Sequence, residues 1–175
     1  MKKKLLFKLC FVAIMSGLFV VLDFVSIKLG NQLKITVSGL PIILVGLLLG
    51  PLYGCVSGLL GAFIGQLITY GLSATTFLWI LPAGVRGLLV GLIFIMLKKN
   101  SNYIYILINI IISSLAVTVI NTLVLYIDGN IYGYYNPVTF LGEAGIRVVS
   151  SVITAVALSI VTLPVYKAIN KVFKN

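Results

Sequence analysis

From Ile35 to Val85 the chain carries no charged side chain. At about 1.5 Å per helical residue, that stretch is long enough for two crossings of a hydrocarbon layer about 30 Å thick. A water-soluble domain devotes about a quarter of its residues to charge. This chain of 175 residues is 9% charged and 61% hydrophobic, with a mean hydropathy of +1.20. It cannot cover itself with a wettable surface. The expected fold class is an all-α membrane protein, because a helix satisfies its own backbone groups where no water is present.

The apolar runs divide into six transmembrane helices over about 5–29, 38–50, 52–70, 78–97, 103–126 and 138–166. They are expected to form one compact bundle, a single transmembrane domain over 1–175. Gly50-Pro51 is a strong breaker pair between the second and third helices. Ser38 is the expected cap of the second, with Pro41 tolerated in its first turn. That helix is too short to cross squarely. The alternation Lys34-Ile35-Thr36-Val37 reads as a short extended segment, and Asp128-Gly129-Asn130 as the start of a Tyr- and Gly-rich loop. Lys2, Lys3 and Lys4 ahead of an apolar run resemble a signal peptide. The run continues through Val20, Val21 and Leu22 without a cleavage site, so it is expected to stay as the first span.

Lysines set the orientation. With six crossings, both termini and the connections at Gly50-Pro51 and Lys98-Lys99 share one side. That side carries Lys2, Lys3, Lys4, Lys8, Lys98, Lys99, Lys167, Lys171 and Lys174 against Lys28 and Lys34 on the other. The positive-inside rule puts both termini in the cytoplasm, and the expected location is a bacterial plasma membrane. The net charge of +10 is therefore a topology signal, and no nucleic-acid partner is expected. Cys10 and Cys55 sit in apolar runs, and with no histidine in the chain neither a metal site nor a disulfide framework is expected.

Polar groups inside the helices fall at one level. Arg86, Arg147 with Glu143 one turn away, Asn121, Gln66 and Asp23 all lie toward the outer ends of their helices. An arginine in a span costs about 2.5–3.5 kcal/mol on insertion scales, so it faces a bundle interior or a wet cavity. Glu143 and Arg147 can neutralise each other at i,i+4. Arg86 has no acid on its own helix, which leaves residual positive charge suited to a carboxylate-bearing ligand. Trp79 lies seven residues before Arg86 on the same helical face and can wall a planar ring, although an interfacial aromatic belt also accounts for such residues. Gly54, Gly58, Gly61 and Gly65, then Gly84, Gly87 and Gly91, form small-residue stripes for close helix packing. Ala13 and Gly17 are a shorter pair of the same kind.

Nothing points to an enzyme. The acids are Asp23, Asp128 and Glu143, too few and too scattered for metal ligation. There is no HExxH and no Gly-Lys phosphate loop, and no cofactor is expected. Active transport by such a chain would need a partner or an ion gradient for energy.

The run from Leu33 to Gly54, LKITVSGLPIILVGLLLGPLYG, together with Gly58-Leu59-Leu60-Gly61 and Arg86-Gly87-Leu88-Leu89-Val90-Gly91-Leu92, resembles the S components of energy-coupling factor (ECF) vitamin transporters. The likeness covers most of the chain and is nearest to the folate-like branch. Gly65-Gln66 departs from the acid expected on the third helix of that branch. The resemblance implies a subunit that captures a small water-soluble vitamin at the outer face, in a site closed by the first, third and fifth loops. The best guess for the ligand is folate or a related anionic vitamin, with pantothenate as competitor. It also implies a transmembrane scaffold subunit and two ATPase subunits as partners, with Ala13-xxx-Gly17 matching the spacing of the family's scaffold-facing Ala-xxx-Ala. The candidate substrate contacts are Arg86, Arg147, Asn121, Gln66, Glu143, Trp79 and the loop residue Lys34. The alternative from another class is a structural or assembly membrane protein whose arginines pair internally.

Overall fold

The computed structural model describes residues 2–29, 33–98 and 100–174; of those, the side chains of 2, 27–29, 33–35, 139, 143 and 172–174 lie outside the description. The described residues form six helices and one hairpin: α1 Lys2–Phe24, β1 Ile27–Leu29, β2 Leu33–Ile35, α2 Gly39–Leu49, α3 Pro51–Tyr70, α4 Thr76–Met96, α5 Tyr103–Tyr132 and α6 Pro137–Lys174. Five of the helices are long and apolar enough to cross a membrane, and α2 is the short one. The all-α membrane bundle is as expected.

Three boundaries differ from the sequence reading. The first helix stops at Phe24, and the apolar residues after it pair as β1 against β2, antiparallel with Ile27 opposite Ile35. Helix α5 runs on through Asp128-Gly129-Asn130 and ends where Gly133 takes a left-handed conformation at φ 74°, a frequent helix stop. Gly129 inside it leaves room for Tyr134 and Tyr135, which fold back over that turn and donate their amides to its carbonyl. Helix α6 carries the basic tail as helix to Lys174.

Helix α2 organises the rest. Its 11 residues span roughly 16 Å, about half the hydrocarbon thickness. Ile42, Ile43, Leu44 and Val45 are all but fully buried, as befits a helix apolar on every side. Water drives none of this burial within lipid, so close packing must hold it. The glycines supply that packing. A Cβ on Gly46 would lie 2.8 Å from the Gly87 carbonyl oxygen, and one on Gly54 2.6 Å from the same atom. Three helices, α2, α3 and α4, thus meet backbone to backbone at Gly87. Gly58 sits against the Ala83 carbonyl in the same way, whereas Gly61 serves α1, facing Phe19 and the Ser16 carbonyl. Gly65 has open space beside it and packs against nothing.

Polar links add direction to the packing. Buried Asn109 on α5 donates to the Val90 carbonyl of α4 at 3.0 Å, and Ser16 on α1 donates to the Ser57 carbonyl of α3 at 3.1 Å. Such interhelical bonds contribute about 0.6–2 kcal/mol each.

Contacts fix which ends lie together. The Lys8 ammonium sits 5.4 Å from the Tyr53 ring centre, Phe94 packs edge-on to Tyr166, and Ile169 touches the cluster of Val12, Met15 and Val45. The start of α1, the α2–α3 turn, the end of α4 and the end of α6 therefore share one end of the bundle. That end carries the lysines, and the positive-inside rule makes it cytoplasmic.

Candidate functional site: a polar cavity above the half-helix

A helix that fills only half the thickness leaves the other half of the bundle centre unoccupied. A cavity of about 520 Å³ lies there, floored by Ile42 and Ser38 at the N-terminal end of α2. Each long helix contributes polar wall: Asp23 from α1, Gln66 from α3, Trp79 and Arg86 from α4, Ser114, Thr118 and Asn121 from α5, and Arg147, Ser151 and Thr154 from α6. Among the sequence candidates, Gln66, Trp79, Arg86, Asn121 and Arg147 are brought together on this one cavity. Lys34 is placed on β2, and its side chain lies outside the described residues; so does that of Glu143 on α6.

Arg86 is the informative member. Its Nε is closed off from solvent and has no hydrogen-bond partner among the described residues. Its Nη1 occupies the space that a Cβ on Gly39 would fill, so the guanidinium lies against the first residue of α2. A helix N-terminus carries the equivalent of about half a positive charge. Two positive features thus converge on one point of the wall, an arrangement that repels itself until an anion sits between or beside them.

Among the described residues, Asp23 is the acid that lines the cavity. Its Oδ1 accepts the Ser38 hydroxyl at 3.1 Å, and Ser38 in turn accepts the Thr36 hydroxyl at 2.8 Å. Ser38 therefore does not cap α2 with its side chain, contrary to the sequence reading; the hydroxyl is spent on tying the first loop to α1. Two guanidiniums, Arg86 and Arg147, and the Asp23 carboxylate line the described wall.

Sequence reasoning missed the hydroxyls of the wall, Ser114, Thr118, Ser151 and Thr154. Ser114 and Thr118 share a helix face with Asn121, and Ser151 and Thr154 with Arg147, at i, i+4 and i+7 spacing. The four hydroxyls carried no charge to draw attention to them.

Fold and cavity together define a multi-pass membrane protein with a ligand-sized polar chamber set within the span. Residues 5–171 match the family of the ECF-type riboflavin transporter, S component, and the chain belongs to that family. S components are substrate-binding subunits of transporters and not enzymes. Among solved structures, the fold is similar to ThiT from Listeria monocytogenes (17% identity, 97% of this chain and 98% of that one, TM-score 0.74). It is also similar to an S component for biotin from an ECF-type ABC transporter (21% identity, 95% and 94%, TM-score 0.67). A third is the S component of a bacterial ECF transporter (17% identity, all of both chains, TM-score 0.69). At these identities the likeness is one of fold. No curated protein matches the chain at a significant level.

Proposed function

We propose that the cavity takes a small anionic vitamin, folate before pantothenate, with its carboxylate at Arg86 and, in folate, the planar ring against Trp79. The observation that carries this reading is the Arg86 guanidinium set against Gly39 at the positive end of α2, with no hydrogen bond to Nε. Gln66 and Asn121 line the same cavity, and their side chains make no hydrogen bond to another described residue, so their amides are free to orient a ligand. A chamber of about 520 Å³ falls in the range of about 300–1,000 Å³ usual for drug-sized ligands, enough for a ring joined to a carboxylate tail. Riboflavin, which gives the matching family its description, has a ring for Trp79 but no carboxylate for Arg86.

Titration calorimetry of the purified protein with folate, pantothenate and riboflavin tests the reading. Folate is expected to bind, and riboflavin at least tenfold more weakly. Riboflavin binding tighter than both anions would overturn it.

Uptake by this reading needs a transmembrane scaffold subunit and two ATPase subunits. Ala13 and Gly17 support the position of the scaffold contact: both are exposed on the outer face of α1, and a Cβ at Gly17 would meet nothing. Ala13→Leu is expected to abolish vitamin uptake by cells while leaving binding to the isolated subunit unchanged. Equal loss of both would place Ala13 in the packing of the bundle instead.

A further inference from the structure

Asp128 sits in the last turns of α5, 8% exposed, and is not among the residues lining the cavity. Its Oδ1 accepts the indole Nε1–H of Trp79 at 3.3 Å, and its Oδ2 accepts the Tyr134 hydroxyl. The two donors come from the first turn of α4 and from the loop after α5. Burying a carboxylate costs free energy unless its lone pairs are satisfied, and among the described residues two neutral donors and no cation bond to this one. A tryptophan has only two side-chain torsions, and anchoring its N–H end fixes both. Tyr135, which follows the anchored Tyr134, packs on Tyr126 and Phe140 at ring-centre distances of 5.1 and 5.6 Å, so the loop held by Asp128 joins α5 to α6.

We propose that Asp128 is a positioning residue of the site: it holds the Trp79 indole as a wall of the cavity and ties the loop after α5 to the first turn of α4. This rests on reading the cavity as a ligand site. Asp128 acts through Trp79 and through that loop, without touching the ligand. Loss of the carboxylate frees the indole to leave its place and lets the loop part from α4, so a bound ligand escapes faster.

Trp79 is the only tryptophan in the chain, so intrinsic fluorescence reports on it alone. The test measures emission and acrylamide quenching of the ligand-free protein in detergent, then folate dissociation by stopped flow. Asp128→Ala is expected to shift Trp79 emission to the red, raise its quenching and speed dissociation at least tenfold. Asp128→Asn, with one acceptor oxygen for two donors, is expected to fall between wild type and Asp128→Ala in both readouts. Tyr134→Phe cuts the loop tie alone, so it is expected to keep wild-type emission and still speed dissociation. Unchanged emission in Asp128→Ala overturns the proposal, as does shifted emission with unchanged folate dissociation. Should Asp128→Ala not fold, wild-type emission and dissociation in Asp128→Asn overturn it. Wild-type protein that binds no folate defeats the ligand assignment instead; the ligand-free emission of Asp128→Ala then decides the proposal, a shift supporting its hold on Trp79 and no shift overturning it.

Discussion

Arg86→Gln is expected to weaken folate binding at least tenfold while leaving the melting temperature close to that of the wild type. Glutamine keeps much of the volume and some donors but removes the charge. A hydrogen bond to a charged group contributes roughly 1.5–3 kcal/mol, and each 1.4 kcal/mol is a factor of about ten in affinity. Stability should survive because the Arg86 Nε has no hydrogen bond to lose. Relieving the guanidinium of its place beside the α2 N-terminus removes a repulsion in the empty protein. Calorimetry and a thermal melt on the same preparation separate the two effects. Unchanged affinity with a large drop in melting temperature would make Arg86 a structural residue and remove it from the ligand site.

Gly87→Ala is expected to have the opposite profile, with a large effect on stability. A methyl there would run into the Gly54 carbonyl group and lie 2.9 Å from the Cys55 nitrogen. Backbone cannot step aside as a side chain can. Overpacking typically costs about 1–3 kcal/mol and sometimes more, and here α2 is drawn in as well, because Gly46 and Gly54 both abut the Gly87 carbonyl. At about 2–4 °C per kcal/mol for a chain of this size, the melting temperature should fall by roughly 2–12 °C. Gly17→Ala is the control: open space surrounds that position, so the gain in helix propensity, up to about 1 kcal/mol, should appear as a small rise. Equal and small shifts in both variants would mean that the glycine junction does not hold the bundle.

What was legible in the sequence follows from what each feature needs. Membrane spans depend on local composition, and the break at Gly50-Pro51 on local backbone chemistry; both were readable without knowing the neighbours. The lysine distribution gave the parity of the spans, later matched by Lys8 against Tyr53 and Phe94 against Tyr166. Trp79 and Arg86 were readable as a pair because both lie on one helix, seven residues apart. The depth of the α2 N-terminus was not readable, since it is set by burial against four other helices. With it went the reason for the cavity and the seat of Arg86 over Gly39. Asp128 was misread as a loop residue because Asp-Gly-Asn is turn chemistry in isolation; donors from Trp79 and Tyr134 overrule that preference. Ser38 was read as a cap, yet its hydroxyl is taken by Asp23, fifteen residues away. Each miss is a contact between distant segments.

The most direct measurement is the mass of the small molecule that copurifies with the protein from cells, extracted after gentle detergent solubilisation and identified by mass spectrometry. A vitamin carrying both a carboxylate and a planar ring, present in wild type and lost from Arg86→Gln, is the expected result. A neutral or cationic vitamin retained equally by both would contradict the anionic site at Arg86 and the half-helix.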